Sequence, residues 1–253
     1  MSDYSKYLIP HTATIREALV ALNDLSHDVL VLFVMNEFDQ MVGTLTDGDI
    51  RRYLIGGGEI KDCVCGAMTR SFLFMTEDSP FSTIKEYKDR GISLVPCLDG
   101  KKRILKVINL KKRKSILPID AVLMAGGKGE RLRPLTETIP KPLLHVGDKA
   151  IIDYNVDRLI SYGVEHISVT VNYLGEQLED HFKEPRDGIR VKCVREPRYL
   201  GTIGSIKFVY PFCHDTVLVM NSDLFTNIDY EDFYLHFKEH DADMSVAAVP
   251  YSI

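Results

Sequence analysis

The sequence predicts an α/β domain with a mostly parallel sheet, preceded by a smaller α+β region that contains an internal repeat. From Ile119 onward, short apolar runs alternate with segments of helical period, which indicates strands joined by crossover helices. Before Pro118, a helix-like segment followed by two apolar runs occurs twice. Because proline stops a preceding helix, Pro118 marks the boundary between the two regions.

Composition narrows the class of protein. The chain has 253 residues, of which 45% are hydrophobic and 26% charged, as expected for a globular protein of one large or two ordinary domains. A net charge of -5 and a pI near 5.9 argue against a nucleic-acid partner. We find neither a membrane span nor a leader, so we expect no membrane partner and a cytoplasmic protein. The 5 cysteines include no Cys-x-x-Cys pair, which favours reduced thiols over disulfides or zinc.

The first region repeats a four-residue sequence. Thr14-Ile-Arg-Glu17 recurs as Thr83-Ile-Lys-Glu86, and each copy opens a predicted helix. The apolar runs that follow are predicted strands, at 29–35 and 41–45 in the first copy and at 92–98 and 103–108 in the second. We therefore predict the order helix, strand, strand, helix in each copy.

The end of the first copy carries a recognisable motif, Val42-Gly-Thr-Leu-Thr-Asp-Gly-Asp49. It resembles the Gly-x-x-Thr-x-x-Asp segment of CBS domains, which pair into modules with clefts for adenine nucleotides. The resemblance implies a tandem pair over residues 1–115, with copies near 1–58 and 59–115. It also implies a site for AMP, ADP or ATP at Gly43, Thr46 and Asp49, where the threonine and aspartate hold the ribose hydroxyls.

Alternatives remain open for this pair. The second copy carries Ile108 and Lys111 at the matching positions, so we expect at most one adenosine site. Asp49 alone also fits a helix N-terminal acid. The pair could instead serve only as a dimerisation scaffold, and we expect a homo-oligomer.

In the second region, strands are predicted at 119–125, 166–171, 189–195 and 216–220, and helices at 151–162, 175–182 and 204–210. Parallel strands present their carboxyl ends at one edge, where ligands bind. A glycine-rich run, Glu196 and Asp223 each follow such a strand. We therefore predict that these three features form one site.

The glycine-rich run predicts a phosphate site. Gly126, Gly127 and Gly129 allow a tight turn whose N–H groups face an anion. Neither the P-loop spacing nor the dinucleotide-binding spacing is present. The run is accompanied by four cations, which suit a triphosphate: Lys128, Arg131, Arg133 and Lys141.

The segment from Leu123 to Thr136, with Pro140-Lys-Pro142, resembles the signature of sugar-phosphate nucleotidyltransferases, Leu-x-Ala-Gly-Gly-x-Gly-x-Arg-Leu-x-Pro-Leu-Thr followed by Pro-Lys-Pro. The resemblance implies a Rossmann-like domain over 116–253 that joins a nucleoside triphosphate to a sugar 1-phosphate and releases pyrophosphate. We predict that Arg131 and Lys141 are catalytic and neutralise charge. The implied nucleotide contacts are Leu123, Ala125, Gly126, Gly127, Lys128, Gly129 and Glu130, although Glu130 stands where the family usually carries threonine.

Two further segments complete the predicted site. Asp223 matches the family's metal-binding acid, which implies a Mg²⁺ cofactor, although an aspartate after a strand also fits a helix cap. The segment from Arg195 to Gly204 resembles the Glu-x-x-x-Leu-Gly-Thr-x-Gly of the mannose-1-phosphate guanylyltransferase-like branch of that family. This resemblance adds Glu196, Gly201 and Thr202 to the nucleotide contacts. A carboxylate accepts both adjacent donors of guanine, so we predict GTP over UTP. A surface acid is the alternative for Glu196.

The resemblance also implies a longer domain than 116–253, and we expect one that is truncated at its carboxyl end, with an exposed sheet edge and weak activity. In that family the second metal-binding acid and the lysine that holds the sugar phosphate come later. Two functions stay open. One is an enzyme that makes a nucleotide sugar under control of adenosine nucleotides, and the other is a catalytically silent nucleotide-sensing regulatory protein.

Overall fold

The structure, a computed structural model, describes residues 4–80, 82–198, 200–201 and 203–248. The chain divides into two compact units, Met1–Arg113 and Lys114–Ile253. Among the described residues, no helix combines the length and apolar character needed to cross a bilayer.

The first unit begins with a three-stranded sheet in the order β1-β2-β3. Strand β1 is parallel to β2, and β2 is antiparallel to β3. Its elements are β1 (Leu8–Pro10), α1 (Ile15–Asp24), β2 (Val31–Met35), β3 (Met41–Thr46) and α2 (Asp47–Ile55). The central strand β2 is buried at Leu32, Phe33 and Val34 and forms the middle of the core.

The second copy contains α3 (Thr83–Asp89) and the antiparallel pair β4 (Leu94–Leu98) and β5 (Ile104–Asn109). The predicted closing helix is present in the first copy, as α2, but the prediction is wrong for the second. After β5, the side chain of Asn109 accepts a hydrogen bond from the N–H of Lys111 at 3.0 Å, which forms a turn. The cations that follow offer no apolar face to bury, so a helix gains nothing there.

The second unit is built on a four-stranded sheet in the order β10-β9-β6-β11, and all three pairings are parallel. This confirms the predicted α/β fold with a parallel sheet. The elements are β6 (Asp120–Met124), β7 (His145–Val146), β8 (Lys149–Ala150), α4 (Ile151–Ser161), β9 (His166–Val171), α5 (Gly175–His181), β10 (Val191–Arg195), β11 (Val217–Asn221) and α6 (Tyr230–Glu239).

The core of this unit lies between the sheet and α4. Strand β6 is buried at Ala121, Val122 and Leu123, as expected for a central parallel strand. The predicted apolar face of α4 is confirmed, because Ile152, Val156, Leu159 and Ile160 are each at most 4% exposed.

Two details of the second unit differ from the predictions. The segment predicted as a helix over 204–210 forms only a short 3-10 helix, Gly204–Phe208. Pro211 disfavours helical geometry at Tyr210 and provides no N–H donor, which leaves too few residues for a stable α-helix. The small β7–β8 hairpin was not predicted, because two-residue strands carry no periodic signal.

Candidate functional site

The glycine run leaves the carboxyl end of β6 as a tight loop that has no room for a side chain at two of its three glycines. A Cβ added to Gly126 would lie 2.5 Å from Glu196 Oε1, and one added to Gly129 would lie 2.9 Å from Cγ2 of Thr136. Gly129 also has φ +62°, a conformation that favours glycine. Gly127 faces open space, with no heavy atom within 4 Å of an added Cβ.

Several contacts anchor this loop to the rest of the unit. Thr136 is 1% exposed and its hydroxyl donates to the Gly129 carbonyl at 2.9 Å. The Tyr173 hydroxyl donates to the carbonyls of Thr136 and Glu137, each at 3.1 Å, and the Gln177 amide donates to the Thr138 carbonyl at 2.8 Å. These contacts hold Gly129 and the segment 136–138 in place before any ligand binds. Nothing in the sequence indicated the roles of Tyr173 and Gln177.

A cleft of about 300 Å³ brings together the three predicted features. Of the predicted site residues, those that line it are Ala125, Gly126, Gly127, Gly129, Lys141, Glu196, Gly201 and Asp223. Met124, Pro142, Asn221 and Ser222 complete the lining. The carboxyl ends of β6, β10 and β11 thus meet at one site, as the alternation of strands and helices predicts.

Other predicted residues lie elsewhere. Leu123 is 0% exposed in β6 and belongs to the core, so its side chain does not reach the cleft. Lys128, Glu130 and Arg131 are exposed on the outer part of the loop and are not part of the cleft lining. Thr202 lies outside the described residues.

Lys141 and Asp223 form an ion pair across the cleft. Their side chains are 41% and 23% exposed, so both remain open to solvent. Lys141 begins a short 3-10 helix after Pro140, and Pro142 within that helix is buried. The predicted catalytic cation is therefore in direct contact with the predicted metal-binding acid.

The turn that carries Asp223 is fixed by a residue that sequence reasoning missed. Asn155 is 4% exposed on α4, and its amide donates to the Ser222 carbonyl at 3.1 Å. The N–H of Ser222 donates to the Met124 carbonyl at 3.2 Å. A polar residue on the buried face of α4 was the available signal, because buried amides need partners.

Glu196 presents an unpaired carboxylate oxygen. The residue is 9% exposed, and its backbone is fixed by a donated bond to Val171 O at 2.9 Å and an accepted bond from the Asn172 amide at 3.2 Å. Its Oε2 atom is buried and has no hydrogen-bond partner among the described residues. Buried polar atoms are normally paired, so an unpaired oxygen on a residue that lines the cleft is unusual.

Comparison with known proteins agrees with this geometry. Residues 120–253, more than half of the chain, match the nucleotidyl transferase family. The chain belongs to the nucleotidyl transferase family. Residues 5–56 match the CBS domain, so this family member also carries a CBS domain.

The curated relatives of this nucleotidyl transferase chain include guanylyltransferases. It is 35% identical over 125 residues to the mannose-1-phosphate guanylyltransferase catalytic subunit beta of Xenopus tropicalis, covering 47% of this chain and 35% of the relative. It is 31% identical over 118 residues to the D-glycero-alpha-D-manno-heptose 1-phosphate guanylyltransferase of Campylobacter jejuni, covering 47% of this chain and 53% of the relative. The matched stretch thus spans between 35% and 53% of the length of these two relatives.

Solved structures that resemble part of the chain include CBS-domain proteins. One is the CBS domain pair of protein MJ0100 in complex with 5′-methylthioadenosine and S-adenosyl-L-methionine, with 26% identity, a TM-score of 0.34, and coverage of 40% of this chain and 80% of that one. Another is the CBS domain protein PAE2072 from Pyrobaculum aerophilum complexed with AMP, with 17% identity, a TM-score of 0.35, and coverage of 41% and 79%.

In the first unit, Thr46 and Asp49 form a capping box at the start of α2. The Thr46 N–H and hydroxyl both donate to Asp49 Oδ2, at 2.9 and 2.5 Å, and Asp49 Oδ1 accepts from Arg52 at 2.6 Å and from the Thr69 hydroxyl at 3.3 Å. Burial opposes ionisation of Asp49, but the hydrogen bonds from Thr46 and the Arg52 guanidinium outweigh it and lower its pKa. Both carboxylate oxygens therefore already have donors.

The remaining position of the predicted adenosine site, Gly43, lies close to Met68. A Cβ on Gly43 would lie 2.8 Å from Met68 Sδ, so the glycine makes room for that side chain. In the second copy, Ile108 is 8% exposed and Lys111 is exposed on the turn after β5. Adenosine binding at Gly43, Thr46 and Asp49 stays a prediction.

Proposed function

We propose that the second unit transfers a guanylyl group from GTP to a sugar 1-phosphate and releases pyrophosphate, and that the CBS pair adjusts this activity by binding adenosine nucleotides. The observation that carries the proposal is the cleft in which the glycine loop, the Lys141–Asp223 pair and the unpaired oxygen of Glu196 meet. The curated guanylyltransferase relatives support the same reaction.

The loop suits a triphosphate on charge as well as shape. Lys128, Arg131 and Arg133 are exposed, and none of them makes an ion pair with the described part of the chain. Between residues 128 and 133 these three cations outnumber one acid, Glu130, so the segment carries a net positive charge. A polyphosphate that lies along the loop would gain charge-assisted hydrogen bonds from these side chains without breaking existing pairs.

The reaction requires positioning and charge neutralisation. An oxygen of the sugar 1-phosphate attacks the α-phosphorus, the bond from that phosphorus to the bridging oxygen of the β-phosphate breaks, and pyrophosphate leaves with the electron pair. Lys141 lines the cleft and stabilises the negative charge that develops on the transferred phosphoryl group. Its backbone lies between Pro140 and Pro142, which restricts the conformations it must lose.

Asp223 fits a magnesium ligand. Its carboxylate is a hard oxygen donor that lines the same cleft as the loop, and Mg²⁺ is commonly held by one or two carboxylates plus substrate phosphates. Bound there, Mg²⁺ would supply positive charge beside the phosphates. Asp223 would then exchange its present partner Lys141 for the cation, which frees the ammonium group for the substrate.

Glu196 supports guanine as the base. Guanine offers N1–H and the N2 amine as adjacent donors, and one carboxylate accepts both. Uracil offers one donor between two carbonyls, which would face the negative charge of Glu196. The buried Oε2 atom gains most from a base with two donors, because an unpaired buried acceptor is costly.

The proposal is tested by incubating the full chain with Mg²⁺, one of the four nucleoside triphosphates and one of a panel of sugar 1-phosphates. The quantity measured is the rate at which pyrophosphate is released from the nucleoside triphosphate. We expect turnover with GTP, and a change in rate on addition of AMP or ATP. Preference for UTP would overturn the assignment of the base. Tight GTP binding without release of pyrophosphate from GTP, whichever sugar 1-phosphate is supplied, would favour the silent nucleotide sensor instead.

A further inference from the structure

Two thiols share one acceptor in the first unit. Cys63 and Cys65 flank Val64, which is fully buried at the start of a 3-10 turn, Val64–Gly66. Both thiols donate to the backbone oxygen of His11, at 2.8 Å from Cys63 Sγ and 3.0 Å from Cys65 Sγ. The two sulfur atoms are therefore no farther apart than the sum of these distances. The N–H of Cys65 also donates to Cys63 Sγ at 3.3 Å, so the turn holds both thiols on one side.

We propose that Cys63 and Cys65 are a redox-active dithiol that closes reversibly to an intramolecular disulfide when a small-molecule disulfide such as oxidised glutathione is present. The site lies in the first unit, among residues that line neither the glycine-loop cleft nor the predicted adenosine site. It is independent of the proposed transferase activity.

The two thiols differ in a way that assigns their order of reaction. Cys63 is exposed, whereas Cys65 is partly buried. Burial, together with the neighbouring Cys63 thiol, raises the pKa of Cys65. Cys63 is thus the thiol that a dissolved oxidant reaches first, and Cys65 is placed to resolve the mixed disulfide.

The other three cysteines lie in different environments. Cys97 is buried in β4, burial raises the pKa of Cys193 to about 11, and Cys213 is exposed in the second unit. Metal binding is the other use of paired thiols. Within the described ranges, however, no group of three or more His, Cys, Asp or Glu side chains is placed to hold a metal ion. Thiol–disulfide exchange is therefore the chemistry that this pair supports.

The exchange is balanced with glutathione disulfide as the oxidant. The Cys63 thiolate attacks one glutathione sulfur, the S–S bond breaks, and one glutathione leaves as a thiolate that takes up a proton. The Cys65 thiolate then attacks Cys63 Sγ and releases the second glutathione. Two protein thiols are oxidised, and one small disulfide is reduced to two thiols. The new ring contains a single intervening residue and one exposed sulfur, that of Cys63, so we expect it to be reduced readily.

Closure would act on the start of α1. The Val64 N–H donates to the Ala13 carbonyl at 2.9 Å. Cys63 pairs with Thr14, the N-cap of α1, through a single antiparallel β-bridge. A disulfide removes both thiol donors from His11 O, two residues before Ala13. We therefore expect oxidation to change the rate of amide hydrogen exchange in the first turn of α1. The exchange rates in the sheet β1-β2-β3 should stay the same.

The test uses the full chain with Cys213→Ser, which removes the exposed thiol of the second unit. The protein is equilibrated at graded ratios of oxidised to reduced glutathione, alkylated, and analysed by peptide mass spectrometry. We expect Cys63 and Cys65 to become protected from alkylation in equal proportion, with loss of two hydrogens from the peptide that contains both, and full reversal by dithiothreitol.

Single variants make the result decisive. Cys65→Ser should accumulate a glutathione adduct on Cys63, and Cys63→Ser should leave Cys65 reduced at ratios that oxidise the pair. The proposal is overturned if the pair stays fully alkylatable at every ratio. It is also overturned if the Cys213→Ser chain retains as much glutathione adduct on Cys63 as the Cys65→Ser variant does. A third contrary result is a disulfide that forms only between two chains.

Discussion

Glu196 is the residue from which substrate specificity is most directly testable. Its buried Oε2 has no partner among the described residues, and an amide in its place would accept only one of the two guanine donors. We expect Glu196→Gln to weaken GTP binding roughly ten- to hundredfold, because one buried donor is left unpaired. The measurement is titration calorimetry with GTP and UTP. Glu184→Gln, an exposed acid of the same unit, is the control. Equal loss of GTP affinity in both variants would contradict the role of Glu196.

Substitution of Lys141 should lower the turnover rate without lowering the free energy of unfolding. Its ion pair with Asp223 is partly exposed, and such pairs contribute about 1 kcal/mol or less to folding. Removing a cation that stabilises the transition state typically costs about a hundredfold or more in turnover. We therefore expect Lys141→Ala to lose pyrophosphate release by that factor, with unfolding by urea nearly unchanged. Lys183→Ala, also exposed, should leave both quantities unaltered. Full activity in Lys141→Ala would refute the role.

The residues that sequence reasoning placed correctly share a cause. Gly126, Glu196 and Asp223 each follow a parallel strand, and the carboxyl ends of such strands must meet at one edge. The exposed position of Arg131 could not be predicted, because it depends on how the loop turns after Gly129. Asn155 was missed since its contact with Ser222 joins residues far apart in sequence.

Helices α1 and α3 begin with the same four-residue repeat but start differently. Thr14 is the N-cap of α1 and forms a capping box with Glu17, whereas Thr83 is the first helical residue of α3, and its N-cap, Ser82, makes no side-chain bond. The sequence predicted both helices but not this shift of one residue, which depends on the backbone before each repeat.

This difference gives a matched pair of variants. Thr14→Ala removes a capping hydroxyl and should lower the free energy of unfolding by about 1 kcal/mol. Thr83→Ala removes no capping bond and should change it by less than about 0.5 kcal/mol. Urea unfolding followed by circular dichroism measures both. Equal destabilisation would show that the capping box does not stabilise α1.

Helices α4 and α5 are joined by a buried carboxylate whose effect depends on pH. Asp153 is 4% exposed and contacts His181 at 2.7 Å and Arg186. Burial acts against its ionised form, but the bonds from His181 and Arg186 prevail and lower the pKa of Asp153. Its stabilisation is therefore present above the unfolded pKa and is lost as pH falls through the lowered folded value.

The expected result is that Asp153→Asn destabilises the protein at neutral pH and that its difference from the parent chain shrinks below about pH 4. Urea midpoints across an acid pH series provide the measurement. Asp180→Asn, an exposed residue of α5, should show no such trend. A difference that stays constant, or grows, as pH falls would contradict the ion-pair account.

The chain as a whole consists of two compact units, each with its own core. The period of the apolar residues predicted both units, because the spacing of buried residues differs between strands and helices. Strand β1, which adds a third strand to the first sheet, was not predicted. The absence of a closing helix after β5 was not predicted either. Both depend on pairing and charge that a single segment does not reveal.

If the CBS pair regulates the transferase, adenosine nucleotide and GTP must be thermodynamically coupled. An AMP-induced change in GTP affinity by a given factor requires that GTP change AMP affinity by the same factor. We expect AMP at a hundred times its dissociation constant to stabilise the chain by about 2.7 kcal/mol, and reciprocal titrations to yield equal coupling factors.

Asp49→Asn should abolish AMP binding, whereas Asp47→Asn on the same helix turn should retain it. Because Asp49 also caps α2, urea unfolding must show the variant folded. AMP binding that survives in folded Asp49→Asn would exclude this residue as the ribose anchor, and a coupling factor of one would exclude regulation through GTP affinity.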